Sequence, residues 1–231
     1  LQSSHVKQDD PSRALSPATT PADGTRVWLA RHALVHERFQ KSAYGSQDVP
    51  LSEEGLRQTA RLCEAFEGAQ LTNVRASDLE RARRLGQCIS LRTETPFTLD
   101  PRLREINRGD WSGLKKSEFR ERWMAAAEAW YEEPRTWRPE GGENDEEVEA
   151  RVLPAFEESA QAAADSGIPA LLACHYNVIR VLQTRLLGLT PLAGWRLPID
   201  LARATLLEVR SGRWHVVCAN VVERPDESQL A

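Results

Sequence analysis

Cysteine spaced for a metal or a disulfide framework is missing from this 231-residue sequence: its four cysteines (63, 88, 174 and 218) include no C-x-x-C pair. That scatter excludes a zinc ribbon and a disulfide-dense secreted scaffold, and makes reduced thiols in a cytoplasmic enzyme the expectation. Also missing is any run near the roughly 18 apolar residues of a membrane span, so no membrane partner is expected. An excess of basic charge is lacking too. Lysine and arginine number 30 against 34 acids, for a formal charge of −4 and a pI near 5.8. This balance argues against a general nucleic-acid binder. Residues 1–24 are polar, rich in Ser, Pro and Thr, and without the basic start and apolar core of a signal peptide. They are expected to be a disordered tail, and 223–231 a C-terminal tail.

What is present is enough apolar material, 41%, for the core of one domain over 25–222. Short apolar runs alternate with helical patterns. RVWLA (26–30), LTNVRAS (71–77) and PALLAC (169–174) read as strands. Helices are expected after Ser52, over DLERARRLGQCIS, over 117–131, over ENDEEVEARVLPAFEESAQAAA with a kink or break at Pro154, and after His175. ATLLEV and WHVVCAN around RSGR read as a hairpin. The order predicts an α/β fold of three layers, with a mostly parallel central sheet, helices on both faces and an antiparallel edge strand.

In such sheets the site lies at the carboxyl ends of the strands. Three strand ends here release Arg31 and His32, Asp78 to Arg81, and His175. Charge is uneven in the same region. Eight arginines and no lysine fall between Arg75 and Arg108, a composition suited to bidentate recognition of phosphate or carboxylate. Seven acids and one base, Arg151, occupy Glu143 to Glu158.

Six ordered blocks then carry a resemblance: Arg31-His32-Ala33, DVPLSEEG (48–55), ASDLERA (76–82), DPRLREINRGDWSG (100–113), PEGGEN (139–144) and ACHYNVIR (173–180). Together they resemble the histidine phosphatase superfamily in its phosphoglycerate-mutase-like branch, over nearly everything but the tails. The resemblance implies a hydrolase that acts on phosphoric monoesters without a cofactor or metal. His32 would be the covalent nucleophile, Arg31, Arg81 and His175 would hold the phosphoryl group, and Glu105 would move the proton. It implies a phosphorylated small molecule as partner and leaves the oligomeric state open. LREINRGDWSG is nearer the phosphatase form of the acidic motif than the mutase form. A phosphoglycerate mutase and a catalytically weak phospho-ligand binder remain the alternatives.

The chain departs from the family pattern at Ala33 and Tyr176, where glycine is usual, at Arg38, where Asn is common, and in lacking Thr-Ala after Arg81. Taken singly, Arg81 is able to pair with Glu80 or Asp78, Glu105 to join a surface ion pair, and Asn177 to cap its helix. His36, four residues after His32, lacks the Glu of an H-E-x-x-H zinc site and is expected on a solvated loop or facing substrate. His215 is expected to be structural and His5 lies in the tail. Selectivity is expected from 33–50 and from a helical insertion at about 112–140. That insertion's Trp123, Trp130 and Trp137, like Trp111, are expected mainly to pack.

Overall fold

The computed structural model describes residues 21–222, except for the side chains at 116 and 119–123. The tails at 1–20 and 223–231, and the side chain of Trp123, lie outside the described residues. Six strands form one sheet in the order β3-β2-β4-β1-β5-β6. They are β1 (Arg26–Arg31), β2 (Val74–Ala76), β3 (Phe97–Leu99), β4 (Ala170–Cys174), β5 (Ala204–Arg210) and β6 (Arg213–Val221). The first four are parallel to one another. β5 runs antiparallel to β1, and β6 antiparallel to β5. The antiparallel edge is thus a hairpin rather than a single strand. Its turn is Ser211-Gly212, both at positive φ, the conformation two-residue hairpins favour. Asp23 accepts from both turn N–H groups, at 3.0 and 2.9 Å, and ties the chain just before β1 to the hairpin.

Side-chain alternation along the strands explains the layers. Val27 and Leu29 of β1, with Ala170 and Leu172 of β4, face one core with α4 (Asp145–Ser166) and α5 (Tyr176–Leu186). Trp28, Ala30, Leu171 and Ala173 face the other, with α1 (Glu53–Ala65) and α2 (Glu80–Thr93). A period of two with both faces covered is what an apolar, parallel strand requires. Ser52 caps α1, its Oγ accepting from the Gly55 N–H at 3.0 Å. Asn144 and Glu147 form a capping box at α4.

Three expectations need correction. Pro154 does not break α4, which runs unbroken to Ser166. Pro154 and Ala150, the residue whose carbonyl loses its helical partner, are both exposed, so the lost bond falls on the solvent face of the helix. The buried stripe Val148, Val152, Ala155, Phe156 and Ser159 holds the helix on the sheet to either side of the proline. The thiols are not all reduced: Cys63 of α1 and Cys88 of α2 form a disulfide, and only Cys174 and Cys218 are free. The cytoplasmic expectation loses the support it took from them. Finally, β3 is a strand the sequence pattern did not announce. Among the described residues no helix is long and apolar enough to cross a membrane.

Candidate active site

β1 and β4 are parallel neighbours in a register that pairs Arg31 with Cys174. The next residue of each strand, His32 and His175, therefore leaves the sheet at the same level. Their ring centroids are 5.1 Å apart, and the His32 N–H still bonds the Cys174 carbonyl at 3.1 Å. On the other side of β4, β2 pairs Ala76 with Ala173 and delivers Arg81 in the first turn of α2. Residues far apart in sequence converge because three strands end side by side.

His32 is 1% exposed. Its Nδ1 lies 2.7 Å from the Ala33 carbonyl oxygen. A carbonyl only accepts, so Nδ1 carries the proton and Nε2 keeps its lone pair. Burial holds the pKa of His32 well below 6.5, and the Arg81 and Arg31 charges reinforce the shift. The ring is neutral at pH 7 and presents an unprotonated nitrogen. His175 is fully buried with neither ring nitrogen hydrogen-bonded. Burial first, then Arg81 and His32, lower its pKa too. A buried imidazole with two unmet nitrogens is costly, and an oxyanion would accept from its one N–H.

The two arginines are held by backbone rather than by acids. Arg81 donates from Nη1 to the Gln47 carbonyl and from Nη2 to that of Gly45, both at 2.7 Å. Glu80 pairs instead with Arg84 and Asp78 with Arg104, so the ion pair open to Arg81 on its helix is not formed. Arg31 donates to the Ile199 carbonyl at 2.6 Å and sits 5.1 Å from the Tyr176 ring. The Nε of each lacks a partner. Arginine stays charged despite burial, and among the described residues neither cation has a carboxylate within ion-pair distance. That is a fixed field for an anion.

Glu105 is 7% exposed and belongs to no ion pair among the described residues. Its Oε1 accepts from the Ile106 N–H at 2.9 Å, and Oε2 from the Asn177 N–H at 3.3 Å. Its loop is pinned from α4. Arg151 donates to the carbonyls of Arg102 and Arg104 and pairs with Glu143, which accepts from the Asn107 N–H. Gly109 (φ +51°) lets this loop press on Gly141 and Gly142, where a Cβ would strike the Glu140 carbonyl. The two glycine-bearing blocks thus make one contact.

Asn177 is not the cap of α5. His175 occupies the N-cap position, and the Asn177 side chain accepts from Arg180, which is bidentate to Asp145 at 2.6 Å. Ala33 is buried and not among the positive-φ residues, so the missing glycine costs the backbone nothing. Arg38 is exposed and stacks on Phe39. His36 is exposed too, its Nδ1 accepting from the Arg38 N–H, and it lines no part of the cleft. His215 lies exposed on β6.

A cavity of about 610 Å³ opens against the site. Arg31, Glu105, Tyr44 and Tyr176 are in its wall, while His32, Arg81 and His175 are buried outside it. The remaining wall comes from the loop after β1 and from α3 (Lys116–Glu132), the helix of the insertion. Trp130 and Tyr131 of α3 line the cavity rather than only packing, and so does Trp111, which also stacks near Trp137 at 5.2 Å. Sequence reasoning missed Tyr44, which lies 5.1 Å from the Arg81 guanidinium, and Arg108, which also faces the cavity. The arginine-only run and the block at 100–113 both included Arg108, and the selectivity expected of 33–50 covered Tyr44, but neither signal singled the residue out.

The profile of the Histidine phosphatase superfamily (branch 1) matches residues 27–222. A glucosyl-3-phosphoglycerate phosphatase of Mycolicibacterium vanbaalenii is 32% identical over 175 residues, 74% of this chain and 77% of the relative. A 2,3-bisphosphoglycerate-dependent phosphoglycerate mutase of Beijerinckia indica is 32% identical over 174 residues, 71% of this chain and 81% of the relative. The native structure of a mycobacterial glucosyl-3-phosphoglycerate phosphatase aligns with a TM-score of 0.77 at 29% identity, covering 85% of this chain and 98% of that one.

Proposed function

The chain belongs to the histidine phosphatase superfamily, branch 1, and from that premise we propose that it hydrolyses phosphoric monoesters of small molecules through a phosphohistidine on His32. The observation that carries this reading is the Nδ1 contact to the Ala33 carbonyl, which fixes the tautomer and leaves Nε2 as the nucleophile. Nε2 forms the N–P bond as the ester P–O bond breaks, and the leaving alkoxide takes a proton from Glu105. Water then attacks phosphorus and returns a proton to the Glu105 carboxylate. The N–P bond breaks, and inorganic phosphate leaves with His32 neutral again. Arg31, Arg81 and His175 hold the equatorial oxygens, where each well-placed donor contributes about 3 kcal/mol to the transition state.

The test is hydrolysis of p-nitrophenyl phosphate in excess chelator by the wild type and by His32→Ala. Activity that survives chelation and is lost in the variant supports the reading; a variant that retains it removes His32 from the nucleophile's role. The mutase among the relatives supplies the second reading, in which the phosphoryl group passes to an acceptor hydroxyl instead of water. Isomerisation of 3-phosphoglycerate outrunning phosphate release would favour it.

A further inference from the structure

The chain neutralises its structural arginines with carboxylates: Arg180 with Asp145, Arg151 with Glu143, Arg75 with Asp100. Three arginines at or behind the cavity, Arg31, Arg81 and Arg108, belong to no ion pair among the described residues, and the proposal above uses two of them. The third is Arg108. Its guanidinium carbon stands 4.5 Å from the Trp130 ring centroid, and among the described residues nothing accepts a hydrogen bond from that guanidinium. Trp130 is itself braced edge-on by Trp195, with centroids 4.9 Å apart, and by Trp111 at 6.4 Å. A planar cation laid on a braced indole keeps its donor edge free and pre-oriented. Burial presses its pKa down, with Glu105 the largest opposing influence. Half-buried on the cavity wall and with no acid paired to it among the described residues, this guanidinium is a charge that an anionic ligand would match.

The volume fits the same conclusion. About 610 Å³ is the size of a whole small-molecule site, not of a lone phosphate. The cavity holds Arg31 on its wall, beside the phosphoryl machinery, and Arg108 on the Trp130 shelf.

We propose that Arg108 is a specificity residue that binds a second oxyanion of the substrate, so that the preferred esters carry a carboxylate or another phosphate on their organic part. The inference rests on the phosphatase reading for the ester it concerns, but binding tests it without turnover. Calorimetric titration of His32→Ala compares 3-phosphoglycerate with glycerol 3-phosphate, and fructose 1,6-bisphosphate with fructose 6-phosphate. One pair adds a carboxylate, the other a phosphate. The member with the extra anion in at least one pair binds at least tenfold more tightly, about 1.4 kcal/mol. In His32→Ala/Arg108→Met that preference disappears, and in His32→Ala/Arg108→Lys part of it returns. Which pair responds identifies the anion. Equal affinities in both pairs, or a preference that survives Arg108→Met in a variant with unchanged thermal unfolding, overturns the proposal. An inert wild type whose His32→Ala form still discriminates would instead refute only the phosphatase reading.

Discussion

At the scale of single residues the candidate site keeps its two histidines neutral. His32 and His175 have pKa values well below 6.5 because both are buried beside arginines. The sign for stability follows from proton counts. Below pH 6.5 the unfolded chain binds protons at these histidines that the folded chain refuses, so stability falls as pH falls through and below 6.5 and is unaffected above it. Each histidine adds about 1.4 kcal/mol per pH unit to the slope in that window. Urea unfolding between pH 7 and 5 should therefore show a shallower decline for His175→Gln than for the wild type; identical slopes would contradict the burial argument. For catalysis, Arg81→Met should lower kcat by about 10²- to 10³-fold, and Arg81→Lys should restore it only partly, because a point charge cannot replace a fork. His32, Arg31, Arg81, His175 and Glu105 were readable from ordered motifs. Tyr44 and Arg108 were not, since their significance arises from which walls the folded chain brings together.

At the scale of elements, the joint between α4 and α5 sets how the Glu105 loop meets His175. Arg180 is 0% exposed, bidentate to Asp145 and 3.8 Å from the Trp195 ring centroid. Asp145→Ala leaves that guanidinium buried and unpaired, and should cost about 3–5 kcal/mol in denaturant unfolding. Asp145→Leu/Arg180→Met, which removes both charges, should cost much less; equal losses would show that packing rather than charge is at stake. Gly109→Ala should destabilise by about 1–2 kcal/mol through the left-handed backbone alone. It should also lower kcat, because the loop that holds Glu105 must yield to the Glu140 carbonyl. Periodicity and caps made the long helices and the buried strands legible. β3 escaped because Phe97-Thr98-Leu99 is three residues long between Pro96 and Pro101, too short to show alternation. The capping role open to Asn177 goes to His175 because the helix begins at Tyr176, two residues earlier than a cap at Asn177 requires.

At the scale of the molecule, the carboxyl ends of the strands gather the candidate site residues, while the helical layers carry much of the core. The Cys63–Cys88 disulfide joins α1 to α2 across 25 residues. A loop of that length corresponds to roughly 3–4 kcal/mol in the chain-entropy account. Cys63→Ala/Cys88→Ala should lower Tm by roughly 6–14 °C without changing KM for an aryl phosphate, since neither residue lines the cavity. Spacing in sequence gave no sign of the pair, because it forms only when two amphipathic helices pack side by side on one face. The α/β layout, by contrast, was visible in the alternation of apolar runs and helical patterns. Covalent chemistry at Nε2 of His32 is read out by rapid acid-free quench of Glu105→Gln with ³²P-labelled aryl phosphate, followed by peptide mapping. Acid-labile label is expected on the peptide containing His32 and is expected to be absent in His32→Ala; label on another residue, or none while phosphate is still released, would rule that chemistry out.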